Sequence, residues 1–290
     1  MRILDDLYPH KHSIANELYI KTADENYVVA RWCSRHRLET DFFWLAAHSL
    51  EKYMKAALLL NERSAKKYGH DIEKLYEDVR SLAPELLPST LVCPPEIKGA
   101  ERQDEPTEQF IKRIHFYGQP DNRYQFVGYY KHGSDVLKLD QVLFAVRRLC
   151  QPLEAHYLGR PHDGCPNQTR RERMLQDEPA SSNLYSTLEE IIQGKRSKFL
   201  QRVLLNWNFP FAPNEFKHGA LNYSDFGMNN PVLVRRFLDP LDAGTPDSDR
   251  LADDIWSWAK ENLHMSRDFI AVYEQERTER KNKRKRRPTR

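Results

Sequence analysis

Apolar residues recur every three or four positions along one long segment of the chain, and this spacing constrains the fold more than any other feature. The residues are Phe43, Ala46, Leu50, Tyr53, Ala57 and Leu60. Such spacing places them along one side of a helix, which is predicted to span about residues 41–62. After a polar break, Gly69 ends the connection and Asp71 is placed to cap the next helix. The sequence therefore predicts two consecutive helices packed as antiparallel neighbours.

The same spacing recurs elsewhere in the first half of the chain. Asp24 is placed to cap an earlier helix, and a later apolar stripe runs from Leu139 to Leu153. Four helices are thus predicted between residues 24 and 156, with a long proline-rich connection from Pro84 to Pro106 before the last of them. No long alternating segment favours a sheet, so we expect an all-α fold.

Domain boundaries follow from changes in composition. Residues 157–182 lose the helical periodicity and are rich in glycine, proline, serine and charge, as is typical of a linker. We therefore predict a helical bundle over residues 1–157, a linker over 158–182 and a mostly helical domain of unknown role over 183–276. Residues 277–290 are dense in lysine and arginine and are predicted to be a disordered basic tail.

Composition argues against a membrane-spanning or disulfide-stabilised protein. Hydrophobic residues make up 40% of the chain and charged residues 30%, which is typical of a soluble globular protein. The longest apolar run, Ala56 to Leu60, is far shorter than the roughly 20 residues that cross a bilayer. The N-terminus lacks a secretory signal, and the four cysteines show neither C-x-x-C nor disulfide-framework spacing. We therefore expect a cytoplasmic protein with reduced cysteines.

The segment AAHSLEKYMKAALLLNERSAKKYGHDIEKLYEDV resembles the HEPN family (higher eukaryotes and prokaryotes nucleotide-binding). The resemblance lies in Ala47, Ser49, Glu51, Lys52, Lys55, Ala56 and Leu58, followed by Gly69, His70, Asp71, Ile72 and Leu75. Arg123 and Tyr124 are similar to the Arg-Tyr-Pro stretch that precedes the last helix of that family. The similarity covers about residues 20–157. It implies a HEPN-like antiparallel four-helix bundle that usually forms a homodimer.

Members of this family include RNA-cleaving toxins, defence nucleases, partners of nucleotidyltransferases and inactive binding relatives. The resemblance implies that the chain binds RNA or a nucleotide, within a prokaryotic defence or toxin–antitoxin system. Two alternatives stay open. One is a metal-independent endoribonuclease that uses an Arg/His pair at a dimer interface, and the other is a non-catalytic scaffold that binds a protein partner.

Pairs of arginine and histidine are the catalytic candidates that the resemblance implies. In active members the imidazole takes a proton from the ribose 2′-hydroxyl, and the guanidinium stabilises the negative charge that grows on the phosphate. Arg31 and His36 are separated by four residues, and Arg63 and His70 by six. Neither pair lies between the third and fourth helices, where active members carry it. A structural interpretation of His70, as part of the turn before Asp71, is the alternative.

Basic residues near one end of the predicted bundle are candidates for binding phosphate. Lys52, Lys55 and Arg63 lie near that end, and Arg123 belongs to the second stretch of the resemblance. A dense run of cations in the tail is expected to attract polyanions by releasing counterions. The tail candidates are Lys281, Lys283, Arg284, Lys285, Arg286 and Arg287.

Two further groups of residues favour structure over ligand binding. His156, His162 and Cys165 match no zinc-binding spacing, so neither a metal nor any other cofactor is predicted. Aromatic residues interrupted by proline, which are able to stack on bases, more often fill a core. They are Trp207, Phe209, Phe211, Phe216 and Phe226.

Overall fold

The computed structural model describes residues 7–95, 104–120, 122, 128–155, 168–176, 184–220, 225–228, 236–265 and 267–285. These residues are mostly helical, which confirms the helical character that the sequence predicts. The chain divides into two compact units. The first comprises Met1–Gly118 and His132–Ser224, and the second comprises Gln119–Lys131 and Asp225–Arg290.

Helices make up most of the first unit. They are α1 (Tyr8–Ala15), α2 (Lys21–Arg35), α3 (Glu39–Leu60), α4 (Ile72–Arg80), α5 (Thr107–Tyr117), α6 (Asp135–Arg148), α7 (Arg170–Gln176), α8 (Thr187–Ile192) and α9 (Lys198–Leu205). A π-helical turn, Asn16–Ile20, joins α1 to α2. Helix α3 is central to this unit because it packs against α2, α4, α5 and α6.

The apolar stripe of α3 lies in the core of the first unit. Leu50, Tyr53 and Ala57 are completely buried, as the helical spacing predicts. Helix α5 approaches α3 so closely that a Cβ atom at Gly118 would lie 2.5 Å from the Cβ of Ala47. Burial of this stripe supplies the apolar contacts that hold the surrounding helices together.

The turn between α3 and α4 has the geometry that the sequence predicts. Gly69 has a φ of 55°, a left-handed conformation that favours glycine. Asp71 caps α4, and its carboxylate accepts a hydrogen bond from the backbone N–H of Lys74 at 3.1 Å. The start of α4 lies beside the middle of α3, where Lys55 contacts Gly69, whereas the C-terminal end of α4 contacts Arg63, just beyond the end of α3. The two helices therefore run in the same direction, and the prediction that they are antiparallel neighbours is wrong. The connection between them carries the chain back along α3 before α4 begins.

The proline-rich connection contains more structure than the sequence analysis predicts. Strand β1 (Thr90–Leu91) pairs antiparallel with β2 (Glu105–Pro106), with Thr90 opposite Pro106 and Leu91 opposite Glu105. Helix α5 follows immediately and was not predicted. The stripe predicted over Leu139 to Leu153 is helical only to Arg148. The expectation of four helices between residues 24 and 156 is therefore incomplete.

The predicted boundary between two domains differs from the division in the structure. Helix α7 occupies part of the predicted linker, and Arg171 within it pairs with Glu85 at 2.6 Å and Glu154 at 2.7 Å. Helices α8 and α9, predicted to start a separate domain, belong to the first unit. The composition of residues 157–182 indicates a linker because charged residues usually face water. The charge of Arg171 is instead paired with carboxylates of the first unit.

A buried ion pair joins α2 to α6 and α9. The Arg31 side chain is only 2% exposed, and its guanidinium pairs with the carboxylate of Asp140. It also donates to the backbone carbonyl oxygens of Val203 at 3.1 Å and Asn206 at 2.7 Å. The Tyr27 hydroxyl donates to the same Asp140 carboxylate at 2.6 Å. These partners satisfy the charge of Arg31, as burial of a guanidinium requires.

A second buried network joins α2, α6 and α8. The guanidinium of Arg147 donates to Asp24 at 3.1 Å and to both carboxylate oxygens of Glu189, at 2.7 and 2.9 Å. Asp24 also accepts from the Tyr53 hydroxyl and, at 2.9 Å, from the backbone N–H of Leu188. Because Arg147 and Asp24 are completely buried, this network fixes α8 against the bundle helices.

The second unit contains a helical layer and a short sheet. Strand β3 (Tyr129–Lys131) pairs antiparallel with β4 (Phe226–Met228), and the helices are α10 (Asp239–Ala243), α11 (Pro246–Asn262) and α12 (Arg267–Lys285). Its core includes Phe237, Trp256 and Tyr273. Helix α12 continues to Lys285, whereas the sequence predicts a disordered tail from residue 277. Pairing of its arginines with α10 and α11 accounts for the difference, as described below.

Candidate functional site

Three cationic or ionisable side chains surround the buried carboxylate of Glu51 on α3. Its oxygens lie 2.6 Å from Lys55 Nζ, 3.1 Å from His70 Nδ1 and 3.5 Å from His48 Nδ1. We call Glu51, His48, Lys55 and His70 the Glu51 cluster. Glu51 and Lys55 are four residues apart on α3, a spacing at which opposite charges pair on a helix.

Two elements bring the Glu51 cluster together. His48, Glu51 and Lys55 are three and four residues apart, so their side chains share one side of α3. His70 comes from the turn that Gly69 permits, and Lys55 Nζ donates to the Gly69 carbonyl oxygen at 2.6 Å. Lys55 therefore contacts both the turn at Gly69 and the carboxylate of Glu51.

The charge of Glu51 is stabilised within the cluster. Burial favours a higher pKa, but hydrogen bonds from His48, Lys55 and His70 outweigh it and lower the pKa of Glu51 to about 2. Glu51 is therefore ionised at neutral pH. An ionised carboxylate orients each neighbouring imidazole by accepting from its Nδ1–H, which leaves the other ring nitrogen directed away from Glu51.

The two imidazoles differ in exposure. The His70 side chain is 80% exposed, whereas that of His48 is 23% exposed and meets the Trp44 ring edge-on at 4.0 Å between centroids. The ring centroids of His48 and His70 are 6.3 Å apart. Two imidazoles and an ammonium group at this spacing are suited to bind an oxyanion or to move protons on a bound molecule.

The predicted Arg31/His36 pair does not form a site. Arg31 is buried with Asp140, whereas His36 is exposed at the end of α2. His36 Nδ1 lies 2.8 Å from the Trp32 carbonyl oxygen, and its ring stacks on the Trp32 indole at 4.5 Å. Among the described contacts, Arg31 and His36 share no partner, so Arg31 acts as a structural residue.

The predicted Arg63/His70 pair is also separated. Arg63 donates to the Asp78 carbonyl oxygen at 3.3 Å and to Ser81 Oγ at 2.5 Å, at the C-terminal end of α4. His70 lies at the N-terminal end of that helix, roughly 10 Å away along the axis at 1.5 Å per residue. The structure instead brings His70 together with His48.

The predicted phosphate contacts on α3 are only partly free to bind. Lys55 is engaged by Glu51 and Gly69. Lys52 is half-buried, and burial lowers its pKa. Arg123 and Tyr124 lie outside the described residues, as do His156, His162 and Cys165.

The described cations near the end of the chain are largely paired. Lys281 lies 3.4 Å from Asp253, and Arg284 lies 2.7 Å from Asp249, whereas Lys283 is exposed. The side chain of Lys285 lies outside the described part of the chain, as do Arg286 and Arg287. The predicted tail therefore contains one well-defined set of paired cations on α12.

The aromatic group divides between core and surface. Phe211 is buried and packs on Tyr27, as predicted for a core residue. Trp207 and Phe209 remain partly exposed around His218, with ring centroids 5.4 and 5.7 Å from the imidazole.

Sequence reasoning missed the role of Glu51 as the common partner. Histidine, glutamate and lysine usually face water, so the helical spacing of His48, Glu51 and Lys55 does not by itself indicate a buried carboxylate. The sequence feature that could have indicated this cluster is the shared helix face of His48, Glu51 and Lys55, followed by a second histidine, His70, in the turn. Only the fold shows that this turn returns His70 to the same carboxylate.

Compared with known proteins, the chain matches no family model, no curated protein and no solved structure. In the described residues, no group of histidine, cysteine and carboxylate side chains has the arrangement of a metal site. No helix in that part of the chain is both long and apolar enough to cross a membrane. The HEPN resemblance therefore rests on the sequence residues quoted above.

Proposed function

We propose that the chain is a HEPN-type helical protein that binds RNA or a nucleotide through the Glu51 cluster. The observation that carries this proposal is the exposed His70 imidazole held beside Lys55 on one buried carboxylate. In its protonated form, an imidazole held by Glu51 through Nδ1 can donate from Nε2 to a phosphate oxygen, and it loses little conformational entropy in doing so. Lys55, paired with Glu51 at 2.6 Å, offsets the negative charge of that carboxylate and so reduces its repulsion of a phosphate bound at His70.

Exchange of His70 for alanine tests the proposal. We expect His70→Ala to weaken binding of a fluorescent single-stranded oligouridylate or of ATP by roughly tenfold, which corresponds to one charge-assisted hydrogen bond. Fluorescence anisotropy at fixed salt measures this effect. Because the His70 side chain is mostly exposed, the melting temperature should change little.

A matched control is His36→Ala, which removes an exposed histidine outside the cluster. We expect it to bind like the unchanged protein. Equal affinities of His70→Ala and the unchanged protein for both ligands would reject the Glu51 cluster as the binding site.

Metal-independent RNA cleavage is the second candidate, and the shared carboxylate of His48 and His70 favours it. One imidazole would take the proton from a ribose 2′-hydroxyl, and the other would donate a proton to the leaving 5′-oxygen. The products would be a 2′,3′-cyclic phosphate and a 5′-hydroxyl. This pair of histidines would take the place of the Arg/His pairs, Arg31/His36 and Arg63/His70, that the resemblance implies.

Incubation with RNA in EDTA separates the two candidates. Cleavage that leaves a 2′,3′-cyclic phosphate, and that is lost in both His48→Ala and His70→Ala, supports the enzyme. Intact RNA that the unchanged protein nevertheless binds supports the binding protein. Retained cleavage in both histidine variants would place any nuclease activity elsewhere.

A further inference from the structure

Helix α12 carries a basic face that is directed at other parts of the second unit. Arg277, Lys281 and Arg284 are spaced four and three positions apart, and Arg280 lies three positions after Arg277, so all four lie along one side of the helix. All four belong to the segment 277–290 that the sequence predicts to be a disordered tail, and Lys281 and Arg284 are among its predicted polyanion-binding residues. In the structure they form a fixed row instead.

Aspartates of α10 and α11 pair with this row. Asp249 accepts two hydrogen bonds from Arg284, at 2.8 and 2.7 Å, and Asp253 contacts both Arg277 and Lys281. Asp249 and Asp253 are four residues apart, so they face the same way along α11.

The third aspartate contact comes from α10. Asp242 pairs with Arg280, which also lies 2.9 Å from Glu276 of its own helix. Arg284 donates in addition to the Leu241 carbonyl oxygen at 3.1 Å. Each cation of the row therefore has an acidic partner within the unit.

We propose that the acidic face of α10 and α11 covers the basic face of α12 and competes with single-stranded RNA for these cations. This inference rests on the proposed function, RNA binding, and adds its regulation. A cation paired with an aspartate cannot neutralise a phosphate and release counterions from RNA until the aspartate contact is broken. This competition lowers the affinity that the basic residues would otherwise give.

Competition by the aspartates predicts a measurable change in how the affinity for RNA depends on salt concentration. Neutralising Asp249 and Asp253 would free Arg277, Lys281 and Arg284. Because each phosphate contact on single-stranded nucleic acid adds roughly 0.7 to the slope of log affinity against log salt, the slope should steepen by about 2. Affinity at moderate salt should rise roughly tenfold.

The test compares the full chain with Asp249→Asn/Asp253→Asn in anisotropy titrations of a fluorescent oligouridylate at several salt concentrations. A control with the same change in charge is Asp247→Asn/Asp254→Asn, since both residues are exposed on α11 and outside the paired row. Tighter binding and a steeper slope in the first variant alone support the inference. Equal affinities and slopes in the two variants, or no binding by either, overturn it.

A charge swap guards against a change in folding. Asp249→Arg/Arg284→Asp keeps the total charge and restores an ion pair, so we expect affinity near that of the unchanged protein. Tighter binding in the swap would contradict competition at this pair. The proposed function fails separately, because it requires His70→Ala to weaken binding, whereas competition requires the aspartate variant to strengthen it.

Discussion

Arg31 and Asp140 form a buried ion pair between α2 and α6, although 109 residues separate them along the chain. Replacing Arg31 with alanine would leave the Asp140 carboxylate buried without its counterion. We expect Arg31→Ala to lower the free energy of unfolding by about 3–5 kcal/mol. Urea unfolding followed by circular dichroism measures this loss.

Removal of both charges provides the comparison. We expect Arg31→Met/Asp140→Leu to unfold at a higher urea concentration than Arg31→Ala, because no unpaired charge stays in the core. A fully stable Arg31→Ala protein that had lost RNA cleavage would instead support the catalytic role predicted from sequence.

Glu189 should control the attachment of α8. Glu189→Ala removes one of the two carboxylates on Arg147, and we expect a loss of about 1.5–3 kcal/mol in the free energy of unfolding. Amide hydrogen exchange should become faster in Thr187–Ile192. The control is Glu190→Ala, which breaks only a surface pair with Arg196 and should cost less than about 1 kcal/mol. Equal exchange rates in the two variants would argue against the anchoring role.

The stability of the Glu51 cluster should depend on pH in a defined direction. The pKa of Glu51 is about 2 in the fold, below the ordinary value of 4.5, so the folded state favours the ionised form. The stabilisation is complete above about pH 4.5 and is lost as the pH falls towards 2.

The difference in unfolding free energy between the unchanged protein and Glu51→Gln measures this contribution. We expect on the order of 2 kcal/mol at pH 6, decreasing steadily below pH 4.5. A difference that stayed constant between pH 6 and pH 3 would show that ionisation of Glu51 does not stabilise the fold.

Gly118 should tolerate no side chain without a shift of α5 against α3. A Cβ there would lie 2.5 Å from Ala47 Cβ and 2.8 Å from the Ile114 carbonyl oxygen. We expect Gly118→Ala to reduce the free energy of unfolding by about 1–3 kcal/mol. At Gly219 the nearest such atom would be 3.7 Å away, so thermal melting of Gly219→Ala should resemble that of the unchanged protein. Similar melting temperatures for the two variants would contradict the close approach.

The sequence predicted those features that depend on neighbouring residues. The buried stripe of α3 and the cap at Asp71 follow from helical spacing and from the side chain that satisfies a helix start. The pairing of Lys55 with Glu51 follows from the same helical spacing, because the two residues are one turn apart.

Contacts between distant residues were not predictable in the same way. Arg31 looked like a catalytic candidate because only its spacing from His36 was visible, whereas its partner Asp140 lies on another helix. The same holds for Arg284. Its charge indicates a solvated tail when only neighbouring residues are considered, but in the fold it pairs with Asp249 of α11. Whether a charged side chain faces solvent, binds a ligand or pairs within the core can be decided only when the fold shows which groups lie beside it.

The attachment of α8 and α9 determines how the chain can be divided for study. A fragment ending at residue 157 would keep Arg31 and Arg147 but would lack Glu189 and the carbonyl groups of Val203 and Asn206. Such a fragment would expose the surface of α2 that α8 and α9 cover, and newly exposed core surface invites aggregation. An autonomous version of the first unit must therefore extend through α9, well past the boundary that composition suggests.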